Sequence, residues 1–179
     1  MQIEHTPFEG LFIIKPAIFK DDRGYFLESY NKEKMQKHIQ DDFVQDNESC
    51  SEKGVLRGLH FQTPPFGQSK LIRVIKGSIL DVVVDLRKES KTYGQHFKIA
   101  LNEDNKYQFY IPVGFAHGFV TLSDDTIINY KCSAFYKPSS EVSILWNDQT
   151  LNIDWGITNP TLSKKDLVGL NFSDFSSPF

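Results

Sequence analysis

From Val55 onward the chain is a succession of short runs rich in β-branched and aromatic residues, each stopped by turn-forming residues. The runs lie near 70–76, 78–86, 95–101, 107–111, 116–122, 126–132 and 142–146. Between them stand Gly77, the stretch from Lys88 to Gly94, Asn102 to Asn105, Ser123-Asp124-Asp125 and Lys137-Pro138-Ser139-Ser140. Turns recurring every roughly 8–12 residues leave no room for long helices and predict an all-β sandwich or barrel. The N-terminal part adds strands. Leu11 to Lys15 reads as one, stopped by Pro16. Lys20 to Gly24 is a turn, and Tyr25 to Tyr30 is a second strand with Phe26, Glu28 and Tyr30 on one face. Asn31 can cap a helix over Lys32 to about Gln40, the only long helix expected. Phe43 to Ser49 is extended, and Thr63 to Gln68 is a loop. Ser163-Lys164-Lys165-Asp166 begins a short helix, after which the tail is expected to fray. Without a linker, repeat or low-complexity stretch, residues 1–179 read as one domain, long enough to bury a core.

A net charge of −3 with scattered basic residues gives no electrostatic footprint for nucleic acid or anionic membranes. The opening Met1-Gln2-Ile3-Glu4 lacks the pattern of a signal peptide, and no stretch approaches the roughly 20 apolar residues of a spanning helix. Two cysteines, Cys50 and Cys132, make no disulfide framework, so the cytoplasm is the expected location. Fifteen phenylalanines and seven tyrosines suit strands and can line a cavity that stacks planar ligands.

Chemistry concentrates in Val55-Leu56-Arg57-Gly58-Leu59-His60-Phe61-Gln62. An imidazole of pKa about 6.5 can take and return a proton at neutral pH. An arginine nearby can hold a phosphate with its fork of donors. A half-buried strand with a satisfied histidine fits the octapeptide equally well. The wider pattern adds weight. Gly58-x-His60-x-Gln62, then Lys70, six residues and Gly77, with Pro112-x-Gly114-x-x-His117 further on, resembles the two motifs of the cupin superfamily. That resemblance implies a cupin-type jelly-roll β-barrel, here with extra N-terminal strands and a few short helices. Metal-binding cupins place a histidine where Gln62 stands and a glutamate where Lys70 stands. An ammonium in that place would repel a metal ion by about 4 kcal/mol per unit-charge pair at about 4 Å. No metal is therefore expected, and Lys70 becomes the cavity's fixed positive charge.

A cavity holding His60, Lys70 and His117 suits removal of a proton beside a carbonyl. His60 can be the base, and Lys70 and His117 can hold the developing oxyanion. Tyr130 is the best second proton carrier by type, since a phenol of pKa about 10 starts protonated. Its other reading is a strand aromatic packed in the core.

Longer runs narrow the resemblance. They include Asp22-Arg23-Gly24-Tyr25-Phe26-Leu27-Glu28-Ser29-Tyr30, Gln45-Asp46-Asn47, Gln68-Ser69-Lys70-Leu71 and Ile111-Pro112-Val113-Gly114-Phe115-Ala116-His117-Gly118-Phe119. Ser139-Ser140-Glu141, Trp146-Asn147-Asp148, Ile153-Asp154-Trp155 and Ser163-Lys164-Lys165-Asp166 continue them. Over residues 10 to 166 the chain resembles the dTDP-4-dehydrorhamnose 3,5-epimerase family. The resemblance implies a cofactor-free isomerase that inverts carbons 3 and 5 of dTDP-4-dehydro-6-deoxy-D-glucose, on the way to dTDP-L-rhamnose for surface polysaccharide. It implies His60 as base, Tyr130 as acid, Asp166 as the carboxylate behind His60, and Lys70 and His117 around the keto oxygen. Asp166 fits a capping box with Ser163 as well, and both roles can hold. Asp81 either orients His117 or faces solvent. Arg23, Glu28, Gln45, Asn47, Arg57 and Lys165 match positions that contact the diphosphate or thymidine. Tyr136 matches the position stacked on thymine, and Glu141 a further binding position. The family's homodimer, with exchanged N-terminal strands, implies that Arg23 and Glu28 serve the partner's site.

Other readings compete. A relative that inverts a single carbon, or a ketoisomerase on a related dTDP-4-keto sugar, would share most of these residues. A non-enzymatic sugar-binding cupin would not need three polar groups buried in one cavity. Gln62 and Lys70 speak against a metal-dependent oxygenase.

Overall fold

The computed structural model describes residues 1–179, and its regular structure is almost all strand. The N-terminal part carries β1 (Gln2–His5), β2 (Phe12–Lys15), β3 (Ile18–Asp21) and β4 (Gly24–Leu27). After the helix α1 (Lys32–Met35) come β5 (Gln45–Ser51), β6 (Leu56–Gln62), β7 (Lys70–Lys76), β8 (Ser78–Asp85) and β9 (His96–Asn102). The series ends with β10 (Gln108–Ile111), β11 (Phe115–Thr121), β12 (Thr126–Cys132) and β13 (Glu141–Ser143). They form a six-stranded sheet, β1-β2-β10-β7-β12-β5, facing a five-stranded sheet, β13-β6-β11-β8-β9. The double-sheet jelly roll read from the cupin pattern is the observed architecture, with β1 to β4 as the additional N-terminal strands.

The alternation of side chains along each strand sorts residues into layers. On β8, Ile79 and Val83 enter the core between the sheets, while Leu80, Val82 and Val84 join a second apolar layer outside. The inner core includes Ile72, Val74, Phe109, Phe115 and Ile128. The chain after β13 covers the outer layer with Ile144, Leu151, Trp155, Phe172, Phe175 and Phe179. Because both faces of β8 are covered, its interior is apolar on both sides, with buried Asp81 the one exception. Full burial of each aliphatic or phenyl side chain there contributes roughly 1.5–3 kcal/mol.

Three sequence expectations need correction. The helix expected to about Gln40 stops at Met35, although Asn31 caps it as expected, accepting from the Lys34 N–H at 3.1 Å. So short a helix has little stability of its own. Its extent is set by docking: Met35 and Ile39 bury against Ile14, Leu71 and Tyr110 on the outside of the six-stranded sheet. The strand expected to Tyr30 ends at Leu27, and Glu28 pairs with Lys34 at 2.8 Å instead of sharing a strand face with Phe26 and Tyr30. The tail does not fray. Asp148 accepts the Phe172 N–H at 2.7 Å, and Ser177 donates its hydroxyl to the Leu86 carbonyl. No helix is long and apolar enough to cross a membrane.

Candidate active site

Between the sheets, at the end where β5, β7 and β12 meet β6, β11 and β13, lies a cavity of about 420 Å³. His60, Lys70, His117, Tyr130 and Asp166 all line it, as do Gln45, Asn47, Arg57, Tyr136, Glu141 and Lys165. Period two explains several of these. Gln45, Asn47 and Ser49 face in from β5, and Tyr130 and Cys132 from β12.

Arg57 and His60 break that rule, because residues three apart on a regular strand face opposite ways. Here β6 is irregular. His60 pairs with His117 and Arg57 with Phe119, so three steps on β6 match two on β11. The extra residue is a bulge, and it turns both side chains inward. Gly118 makes room for it: a Cβ there would lie 2.8 Å from the Arg57 carbonyl oxygen and 3.0 Å from the Gly58 Cα.

Asp166 reaches His60 from the far end of the chain. Two parallel bridges flank it, Val55 with Thr161 and Ile144 with Leu170, and hold this returning segment against β6 and β13. Asp166 opens a single 3-10 turn and forms the capping box with Ser163. Its N–H donates to Ser163 Oγ at 3.3 Å, and the Ser163 N–H and hydroxyl donate to its Oδ2 at 3.2 and 2.6 Å. Its Oδ1 accepts the Gly58 N–H at 3.2 Å and stands 2.8 Å from His60 Nε2. That last contact is short but off the line of a well-directed hydrogen bond, and it becomes an ion pair when the imidazole takes a proton. Burial alone would raise the Asp166 pKa, but His60, Ser163 and the Gly58 N–H outweigh it and hold the group at about 2. The carboxylate therefore stays charged behind the imidazole.

On the opposite wall, His117 Nε2 lies 3.0 and 2.9 Å from the two oxygens of fully buried Asp81. Asp81 thus orients His117, the reading that competed with a solvent-facing carboxylate. Burial lowers the His117 pKa and raises that of Asp81, while each partner pulls the other back toward its charged form. Burial also pushes the Lys70 ammonium down, against the pull of Cys132, Asp81 and Glu141. A lysine so placed holds an oxyanion and gives up a proton more readily than a solvated one. Burial raises the Tyr130 phenol, ahead of smaller effects from Cys132, Arg57 and Glu141, so it remains protonated at neutral pH. Tyr130 also packs against the inner core, so its two readings coexist.

The mouth carries a guanidinium and an exposed aromatic ring. Arg57 donates through Nε and a terminal nitrogen to Ser51 Oγ at 3.3 and 3.1 Å. Gln45 Oε1 accepts the Tyr136 N–H at 2.9 Å, leaving a half-exposed ring over the opening. Gln62, at the cupin ligand position, lies outside the lining. It clamps loops instead, donating to Phe66 O at 2.6 Å and accepting the Lys137 N–H at 2.6 Å.

Two expected residues are elsewhere. Arg23 sits at the tip of the β3–β4 hairpin, paired with Asp21 at 2.5 Å, and Glu28 lies just beyond it. Neither lines the cavity of its own chain. Five lining residues were not singled out from the sequence for this cavity: Ser49, Gln68, Phe119, Cys132 and Ser163. Period two from Asn47, His117 and Tyr130 would have found Ser49, Phe119 and Cys132. No local signal marks Gln68, whose amide donates to Ala134 O at 2.7 Å.

The family model described as dTDP-4-dehydrorhamnose 3,5-epimerase matches residues 5–174. The chain belongs to this family. A curated dTDP-4-dehydrorhamnose 3,5-epimerase from Shigella flexneri is 45% identical over 97% of each chain. The crystal structure of dTDP-4-dehydrorhamnose 3,5-epimerase from Elizabethkingia anophelis superposes with a TM-score of 0.92 at 46% identity, again over 97% of each chain. A dTDP-6-deoxy-D-glucose-3,5-epimerase from Legionella pneumophila, solved in complex with dTDP-4-keto-L-rhamnose, gives a TM-score of 0.94 at 44% identity, covering 98% of this chain and 94% of its own. These epimerases match the chain along almost its full length, so the cavity described above lies within the shared fold. It holds an imidazole backed by a carboxylate, a buried ammonium and a protonated phenol.

Proposed function

We propose that this epimerase inverts carbons 3 and 5 of dTDP-4-dehydro-6-deoxy-D-glucose and releases dTDP-4-dehydro-β-L-rhamnose. The 4-keto group acidifies the adjacent C–H bonds, so the substrate supplies its own electron sink and no cofactor is needed. His60 takes the proton from carbon 3, and the electron pair moves onto the keto oxygen. Lys70 and His117 stabilise that enolate, worth several powers of ten in rate for preorganised donors of this kind. Tyr130 delivers a proton to the other face, re-forming the ketone, and is reprotonated from solvent as His60 loses its proton. Carbon 5 follows by the same steps.

The observation that carries this reading is the His60 imidazole backed by the Asp166 carboxylate in one cavity with Lys70 and protonated Tyr130. Gln45, Asn47, Arg57, Tyr136 and Lys165 bind the nucleotide at the mouth. A cytoplasmic location fits a nucleotide-sugar substrate and the two unpaired cysteines. The test is proton NMR of the substrate with the protein in deuterium oxide. Loss of the signals from carbons 3 and 5 is expected. Loss of one alone means a single-carbon epimerase, and a shifted carbonyl means a ketoisomerase.

The active form we propose is a homodimer in which Arg23 and Glu28 complete the partner's nucleotide site. In support, the β3–β4 hairpin forms a separate two-stranded sheet whose Phe19 and Phe26 are 63% and 68% exposed. Such exposure is costly unless another surface covers it. Sedimentation equilibrium should return twice the chain mass; a monomer at micromolar concentration would refute the arrangement.

A further inference from the structure

Residues 133–137 join β12 to the single 3-10 turn that precedes β13, and they carry Tyr136. Residues 134–136 belong to no strand or helix and make no backbone–backbone hydrogen bond. Packing holds them little, since Phe135 is 70% and Tyr136 50% exposed. Their backbone groups are held instead by glutamine side chains. Gln68 Nε2 donates to Ala134 O at 2.7 Å, and the Tyr136 N–H donates to Gln45 Oε1 at 2.9 Å. Gln62 does the most. Its Nε2 donates to Phe135 O at 3.3 Å, and its Oε1 accepts the Lys137 N–H at 2.6 Å. The three amides come from β5, the end of β6 and the loop before β7.

Those two bonds from Gln62 fall on the two peptide groups that flank Tyr136. A peptide group is a rigid plane, so fixing the planes on both sides of a residue fixes its φ and ψ. The direction of the Tyr136 Cβ is then set, and only the side-chain torsions remain. A carboxamide suits the task because it donates and accepts at once, as a neighbouring strand would. Gln62 is itself firmly held. It is 4% exposed, and the Nε2 that reaches Phe135 also donates to Phe66 O at 2.6 Å. It stands where metal-binding cupins have their second histidine, yet it lies outside the cavity lining.

We propose that Gln62 is a positioning residue for nucleotide binding: by fixing the two peptide groups beside Tyr136 it holds the ring in the attitude that a thymine base stacks on. The proposal rests on the dTDP-sugar reading of the cavity and deepens it. Gln62 touches no substrate and acts through Tyr136. A ring ordered in advance loses less freedom when the base arrives, so the clamp strengthens binding without adding a contact. The position that serves a metal ion in other cupins here serves the base platform.

Calorimetric titration with dTDP, together with steady-state kinetics, tests it. Tyr136→Ala should weaken dTDP binding about 5- to 150-fold, the range for losing one base–aromatic stack. Gln62→Met keeps the side-chain length and removes all three hydrogen bonds. It should weaken dTDP binding about three- to tenfold and raise KM in parallel, with kcat within about twofold of the parent. In a Tyr136→Ala background the same change should have almost no effect on affinity, because the residue it acts through is gone. Gln62→Glu keeps the acceptor for Lys137 but not both donors. It should fall between the parent and Gln62→Met, and it carries the test if the latter does not fold. An equal loss with and without the Tyr136 ring, or a fall in kcat at unchanged KM, would mean general support of the cavity and would overturn the proposal. So would parent-like affinity in both Gln62 variants. If Tyr136→Ala binds dTDP as the parent does, the reading of the ring as base platform fails and takes the proposal with it. Failure of the parent to bind dTDP would instead sink the reading of the cavity itself.

Discussion

Replacing His60 by alanine should abolish exchange of the protons on both carbon 3 and carbon 5 with solvent, and lower turnover by about 10²–10⁴-fold. The imidazole is the lining base backed by a carboxylate. Asp166, held at about 2, remains ionised across any working pH and supports a positive charge on the ring when it takes the proton. His117 also has a carboxylate behind it, but its setting differs. His117 gives its Nε2 to buried Asp81, and burial works against its charging. Affinity for dTDP should stay within about threefold of the parent, since the nucleotide end is proposed to rest on Arg57, Lys165 and Tyr136. Deuterium exchange followed by NMR, with calorimetry for binding, separates the two effects. Retained exchange at either carbon would assign that proton to a different base. Exchange lost together with binding would mean that the substitution had disturbed the cavity as a whole.

Gly118→Ala should destabilise the fold by about 2–4 kcal/mol and slow catalysis even where the protein remains folded. The added methyl would meet the Arg57 carbonyl oxygen at 2.8 Å, the Gly58 Cα at 3.0 Å and the Trp155 ring at 3.2 Å. Two of these are backbone atoms and cannot swing aside. Trp155 is fully packed and donates its indole N–H to the Trp146 carbonyl at 2.8 Å. The relief available is to push β6 away from β11, which moves Arg57 and His60 together. For a chain of this size the loss corresponds to a fall in melting temperature of roughly 5–15 °C. Thermal denaturation and turnover measured well below the transition check both parts. A parent-like melt with full turnover would show that the sheet absorbs the methyl freely, and that the tight β6–β11 contact does not position the base.

Much of this protein is legible along the chain. The strands after Val55 fall where alternating apolar residues are punctuated by Gly, Asn, Asp and Pro, and the cupin-like pairing of His60 with His117 is realised as direct neighbours on β6 and β11. Strand period and turn chemistry are local properties, set by a few adjacent residues, so they can be read in order. The same holds for Asn31 as a helix cap and for the Ser163–Asp166 box, each closed within a few residues. The residue types needed for proton abstraction are legible for a similar reason: an imidazole, an ammonium and a phenol bring their chemistry with them.

Only the tertiary structure decided how these pieces meet. Helix α1 is short because its length follows the patch of sheet it covers, not its own propensity. The tail packs because an apolar outer face of the five-stranded sheet awaits it. Asp166 pairs with His60 because two bridges bring a distant segment back to β6. The bulge on β6 turns Arg57 and His60 to the same side, against the alternation that their spacing implies. Each of these outcomes depends on pairing and burial between segments far apart in the chain, where the free energy belongs to the contact and not to either segment alone. Sequence by itself determined the strands, the turns and the chemical types in the site; packing determined which of those groups face one another, and therefore which can exchange a proton.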